Sequence, residues 1–219
     1  MEWFIIVLAL GVAIGPILYL MPSDRDRYIS GLRALARKLG YTVQLDKVPK
    51  LDPSSDERVT AGGGVRQPAI ACARYQLPLG VTLNNLTPIT LLRIPAHATV
   101  PVERLGANWG ILAADPAQQR ALANWRTHAQ ASADLVAVLG QLPDDVLAVQ
   151  FEKRLIAGFW SEQSPAAADS KNQSIALFWP RRKPKSPQTL AEFPRLQLLD
   201  TGMRCVLNAV KKHWGVSAE

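Results

Sequence analysis

Cysteine and histidine are scarce in this chain: Cys72 and Cys205, with His97, His128 and His213, are all that its 219 residues provide. Two cysteines cannot build the framework of a disulfide-stapled secreted domain, and none of these residues stands at the spacing of a metal site. The sequence therefore predicts no metal and no cofactor. Catalytic signatures are missing as well. There is no G-x-S-x-G, no H-E-x-x-H and no kinase-like set. The run Gly62, Gly63, Gly64 is followed by Val65, Arg66, Gln67 and Pro68, not by the lysine and helix of a phosphate loop, so it reads as a connector. A cysteine nucleophile with a histidine base rests on composition alone, because no flanking motif accompanies either thiol. This reading leans away from an enzyme without excluding one. Internal repeats and low-complexity tracts are absent too, and 48% apolar with 20% charged residues is ordinary for a folded domain.

Charge is missing from one stretch altogether. Trp3 to Met21 reads WFIIVLALGVAIGPILYLM, nineteen positions without a single charge. As a helix it spans ~28 Å, close to the ~30 Å hydrocarbon core of a bilayer. Eleven of the nineteen are Phe, Ile, Val or Leu, and their insertion preference outweighs the penalty of Gly11, Gly15 and Pro16. Trp3 and Tyr19 lie near the ends, and Pro22 follows as a stop. No Lys or Arg precedes the run, and only LYLMPSD follows it, without the small-x-small site of a cleaved signal peptide. Residues 1–22 are thus expected to be a single, uncleaved transmembrane anchor. Arg25, Arg27, Arg33, Arg37 and Lys38 follow it, which places the N-terminus outside and residues 22–219 in the cytoplasm. A chain rich in Ala, Leu and Arg suggests a bacterial inner membrane. Gly11 and Gly15 form a small-xxx-small pair suited to close helix contact, with a second copy or with another membrane protein; the competing role is to accommodate a bend at Pro16.

The net charge of +7 is uneven along the chain. Basic against acidic residues number five to three in 1–40, nine to nine in 41–150, three to three in 151–180 and eight to three in 181–219. The excess sits at the ends, and Arg181, Arg182, Lys183 and Lys185 concentrate it between Pro180 and Pro187. Such a cluster suits an anionic membrane surface, or serves simply as a solvated loop. Nucleic acid is a weaker expectation, since no nucleic-acid motif accompanies the cluster.

Periodicity predicts an α+β domain over 41–219, of mainly antiparallel strands with about three helices. An amphipathic helix over 23–40 precedes it, with Tyr28, Ile29, Leu32, Leu35, Ala36 and Leu39 on one face and Gly40 at its end. It either lies in the membrane interface or packs on the domain; the second is the commoner arrangement. Strands are expected at Tyr41–Val48, in four short runs between Pro68 and Ala114, in a hairpin turning at Lys153 and Arg154, and at 174–179. One helix is expected from Asp115 to Leu139, burying Leu122, Trp125, Ala129, Ala133, Val136 and Leu139, and another from Pro194, with Leu196, Leu199, Met203, Val206, Leu207, Val210 and Trp214 along one side. Loops are expected at about 49–66 and 163–188. Given the cytoplasmic placement, Cys72 and Cys205 read as reduced core thiols and not as a disulfide, His128 as a surface residue, and Asp144 with Asp145 as a turn.

The functional expectation is a non-catalytic, single-pass accessory, assembly or scaffold protein. Its partners would be the lipid bilayer and an integral-membrane or soluble protein, with a homodimer through the anchor also open. The alternatives are a membrane-tethered enzyme of unspecified reaction, or a binder of anionic lipid or nucleic acid through 181–185. No motif ties the chain to a known family.

Overall fold

The computed structural model describes Trp3 and residues 24–60, 62–162 and 190–215. The chain divides into two compact units, residues 1–32 with 163–183 and residues 33–162 with 184–219. In the first, the described residues beyond Trp3 belong to helix α1 (Asp24–Lys38), which continues into the second. Among the described residues no helix is long and apolar enough to cross a membrane; the remainder of the apolar run 3–21, with the glycines at 11 and 15, lies outside them.

The second unit is α+β and is built on one antiparallel sheet of seven strands: β1 (Thr42–Pro49), β2 (Ala69–Pro78), β3 (Ile89–Arg93), β4 (Val102–Arg104), β5 (Trp109–Leu112), β6 (Val146–Phe151) and β7 (Leu155–Trp160), in the spatial order β1-β2-β7-β6-β3-β5-β4. The expected hairpin is β6–β7, with Phe151 opposite Ile156 and the Glu152 N–H on the Leu155 carbonyl at 3.0 Å. Period-two alternation then sorts the side chains. Tyr75, Leu77, Ile156, Trp160, Val149, Phe151, Leu91 and Ile111 are all buried on one face. Gly158 lies on that face, and a Cβ there would stand 3.1 Å from Met203 Sδ, so the last helix sits directly against the strand.

The single helix expected over 115–139 is two helices, α2 (Pro116–Thr127) and α3 (Ala129–Leu139). The start is as read: Asp115 Oδ1 accepts the N–H groups of Ala117 at 2.9 Å and Gln118 at 3.2 Å. The break arises at the Trp125 carbonyl, which accepts the His128 N–H at 3.1 Å and the buried Ser132 hydroxyl at 2.6 Å. A serine hydroxyl thus satisfies an acceptor that a continuous helix would bond from its next turn. The turn of chain at His128 leaves Ala129 and Ala133 exposed and buries Ala131, Ser132, Leu135 and Leu139. The described residues consequently hold four α-helices where about three were expected, the last being α4 (Pro194–Trp214). Leu196, Leu199, Met203, Val206, Val210 and Trp214 of α4 are buried as the periodicity required, whereas Leu207 is only half-buried. Trp125 stitches the layers: its ring lies 5.1 Å from Phe151 of β6 and 4.9 Å from Trp214 of α4, and its Nε1–H donates to the Thr87 carbonyl at 2.9 Å.

On the opposite face, the described residues cover one end. Val48, Leu51, Cys72, Leu92, Ile94, Ala148 and Phe159 form a second apolar cluster under the connection that follows β1. That connection is held by the Leu51 carbonyl, which accepts from the N–H groups of Thr99 at 2.8 Å and Val100 at 3.2 Å. Farther along the same face Gln44, Arg74, Gln76, Thr90 and Gln150 reach partly or fully into solvent. The expected strand at 174–179 and the loop at 163–188 lie outside the described residues.

Candidate functional site

Three groups of polar side chains stand out in the second unit. The first is a buried chain of carboxylates and rings between α1, the sheet and α4. Arg33 in the second half of α1 grips Glu162 through Nε at 2.9 and 3.1 Å and also through Nη2, while the Tyr75 hydroxyl donates to the same carboxylate at 2.6 Å. The Glu162 side chain is 7% exposed. Its bond with Arg33 holds the guanidinium above its ordinary pKa, against the cost of burial. Beside it, the Tyr41 hydroxyl donates to Asp200 Oδ1 at 2.9 Å, and Arg204 bonds that carboxylate from one turn along α4. Burial, then the negative charge of Asp200, push the Tyr41 phenol far above its usual value, so it stays a hydrogen-bond donor at every working pH. Tyr41 meets Tyr75 edge-on at 6.1 Å, and Tyr75 meets Trp160 at 5.4 Å. Trp160 Nε1–H donates to Asp145 Oδ2 at 2.5 Å, an oxygen that Arg195 also bonds.

With every carboxylate of this chain bonded by a cation or a ring N–H, the arrangement is suited to fastening elements together. It fixes the final turns of α1, whose Leu35 and Ala36 are buried. Sequence reading missed Glu162, Asp145 and Asp200. Only Asp200 carried a usable signal, an acid inside an apolar helical stripe with Arg204 four residues on.

The second group surrounds Arg93 at one end of the sheet. Its guanidinium donates to the Val146 carbonyl at 3.0 Å, to Asp144 Oδ1 at 2.9 Å and to the Leu142 and Pro143 carbonyls at 2.9 Å each, and it lies 4.9 Å from the centre of the Trp109 ring. Burial holds its pKa below the ordinary arginine value in spite of Asp144 and Asp145. Two open cavities flank it. One, of about 430 Å³, is lined by Arg93, Arg104, Asn108 and Asp144 together with Pro95 and Ala96. The other, of about 290 Å³, is mostly apolar, with Val48, Leu51, Leu92, Ile94 and Leu147 among its walls. The irregularity between Val146 and Ala148 places Leu147 there. This end of the sheet can recognise a small polar group against an apolar wall. Its lining brings together no thiol, hydroxyl nucleophile or imidazole.

The third group is the imidazole of His213, 2.9 Å from Asp134 Oδ2, which lowers the carboxyl's pKa with help from Lys212. His97 and His128 are exposed. Cys72 is buried on β2, its thiol 3.6 Å from the Asp46 carbonyl and pushed up to about 11 mainly by burial. Cys205 is half-buried on α4, and both cysteines are free thiols. Among the described residues no group of three His, Cys, Asp or Glu could hold a metal ion. The basic cluster at 181, 182, 183 and 185 lies outside the described residues. No protein-family model, curated protein or solved structure matches this chain.

Proposed function

We propose that this protein is a single-pass accessory or scaffold protein of a bacterial inner membrane, anchored by residues 3–21, with its α+β domain in the cytoplasm holding a membrane complex or recruiting a soluble partner to it. The observation that carries this reading is the nineteen-residue uncharged run, with no Lys or Arg before it and Arg25, Arg27, Arg33, Arg37 and Lys38 behind it. Two features of the domain support it. Within the second unit the last turns of α1 are held by the Arg33–Glu162–Tyr75 cluster. The sheet also offers recognition surfaces, the partly solvated face around Gln44, Arg74 and Gln76 and the cavities beside Arg93.

Reporter fusions after Glu219, with carbonate extraction, test the placement. A cytoplasmic fluorescent reporter should light up in the pelleted membrane fraction, and an export-dependent phosphatase should stay inactive. Phosphatase activity, or release of the full chain by carbonate, would overturn it. Purification in mild detergent tests the role: a stoichiometric membrane complex is expected, while turnover by the isolated monomer would select the tethered-enzyme alternative.

A further inference from the structure

The two edges of the sheet are built differently. β4 has three residues, whereas β1 runs eight, from Thr42 to Pro49, in unbroken antiparallel register with β2. Short edge strands resist pairing with other chains; a long regular one is a template for it. The Lys50 N–H bonds the Pro68 carbonyl at 2.9 Å, one step beyond the last register pair, Pro49 with Ala69. Bonded pairs alternate along an antiparallel ladder, so the even-numbered residues of β1 turn their backbone groups toward β2. Val43, Leu45 and Lys47 turn theirs outward. The Lys47 N–H agrees with this, because it is taken up by the neighbouring Asp46 Oδ1 at 2.8 Å. The outward groups of Val43 and Leu45 have no hydrogen-bond partner among the described residues, and Leu45 is 75% exposed.

We infer that β1 pairs with β1 of a second copy of this chain, antiparallel about a two-fold axis at Leu45, so that two sheets join into one. The outward groups recur at every second residue, so with the axis at Leu45 the Leu45 N–H and carbonyl bond those of Leu45 of the partner subunit, and the Val43 N–H bonds the carbonyl of Lys47 of the partner subunit, while the Lys47 N–H exchanges its bond to Asp46 for the Val43 carbonyl across the seam. Leu45 would face Leu45 of the partner subunit, and Val43 would face Lys47 of the partner subunit. On the other face Asp46 would meet Gln44 of the partner subunit. No like charges oppose each other in this register, and the strand is neutral, with Asp46 and Lys47 balancing. An axis at Asp46 would instead set two carboxylates face to face.

The test uses the full chain in detergent. Leu45→Cys puts two thiols about 5.5 Å apart between Cα atoms, while Thr42→Cys puts them roughly 20 Å apart. Copper-phenanthroline oxidation should give covalent dimer in L45C at least about tenfold above T42C and above the parent chain, whose own Cys72 and Cys205 set the background. Leu45→Pro removes only an outward N–H and is tolerated at an edge, so it should leave the circular dichroism unchanged and yield monomers by native mass spectrometry. Equal crosslinking of L45C and T42C would overturn the inference. So would a folded L45P chain that remains dimeric, the behaviour expected if copies associate through Gly11 and Gly15 alone. Should L45P not fold, the pair of cysteine variants decides.

Discussion

Replacing Arg33 by Met should uncover how much the buried clamp on α1 contributes. The Glu162 side chain, 7% exposed, would be left among the described residues with the Tyr75 hydroxyl as its side-chain donor, at 2.6 Å. Removing one member of a fully buried ion pair costs about 3–5 kcal/mol. Here the Arg33 side chain is 28% exposed, so water can enter the space it vacates, and the expected loss is smaller, about 2–3 kcal/mol. For a chain of this length that corresponds to a fall in melting temperature of roughly 5–10 °C. Glu162→Gln retains an acceptor for Tyr75 and should cost about 1–2 kcal/mol. The double variant R33M/E162Q removes both charges and leaves neither buried alone, so it should be more stable than the sum of the single losses implies, by at least ~1 kcal/mol. The assay is denaturant unfolding followed by tryptophan fluorescence, with hydrogen exchange over residues 33–38 as the local readout. Strict additivity, or unchanged exchange in R33M, would refute the view that Arg33 and Glu162 act as a unit holding α1.

Trp125→Ala should cost about 3–5 kcal/mol, and Trp125→Phe, which loses mainly the bond to Thr87, about 1 kcal/mol, both measured by urea unfolding. Gly110→Ala would set a Cβ 2.5 Å from the Glu103 carbonyl oxygen and 3.1 Å from Arg104 Cα, so it should unpair β4 from β5 and raise hydrogen exchange over 102–112; a variant with native exchange there would contradict the placement. Cys72, with its thiol pushed up to about 11, should react with an aromatic disulfide at pH 8 at least about tenfold more slowly than Cys205, as peptide mapping of the labelled sites would reveal. Asp134 has a pKa held below the ordinary value of 3.8, first by its bond with His213, so its contribution to stability is present above that value and lost as pH falls through the lowered one. Asp134→Asn should therefore flatten the acid limb of a plot of urea midpoint against pH, and an unchanged limb would count against the pairing.

Much of this architecture was legible because local rules and burial agree. Asp115 and Pro116 open α2 as caps do, the β6–β7 hairpin turns at its charged residues, and the stripe from Leu196 to Trp214 is the buried face of α4. The break at His128 was not legible, since nothing in the local sequence announces that the Ser132 hydroxyl will bond the Trp125 carbonyl seven residues back. Glu162 was hidden for a related reason: its partners, Arg33 and Tyr75, stand 129 and 87 residues away.

Amino-acid order alone determined where apolar surface must go: period-two runs made strands, period-3.6 stripes made helices, and an uncharged stretch of nineteen residues set the expectation of a membrane span. Only the tertiary structure decided which charges meet, because the bond between Arg33 and Glu162, or between Arg93 and the carbonyls of 142, 143 and 146, exists only after the sheet has brought distant segments within 3 Å or so. It decided which strand stands at the edge of the described sheet too. β1 reads like any other alternating strand, and its outward row of donors and acceptors arises solely from its place at the end of the order β1-β2-β7-β6-β3-β5-β4. Hydrophobic burial is a property each residue carries with it, whereas a hydrogen bond or an ion pair belongs to two residues at once, and chain position says little about the second.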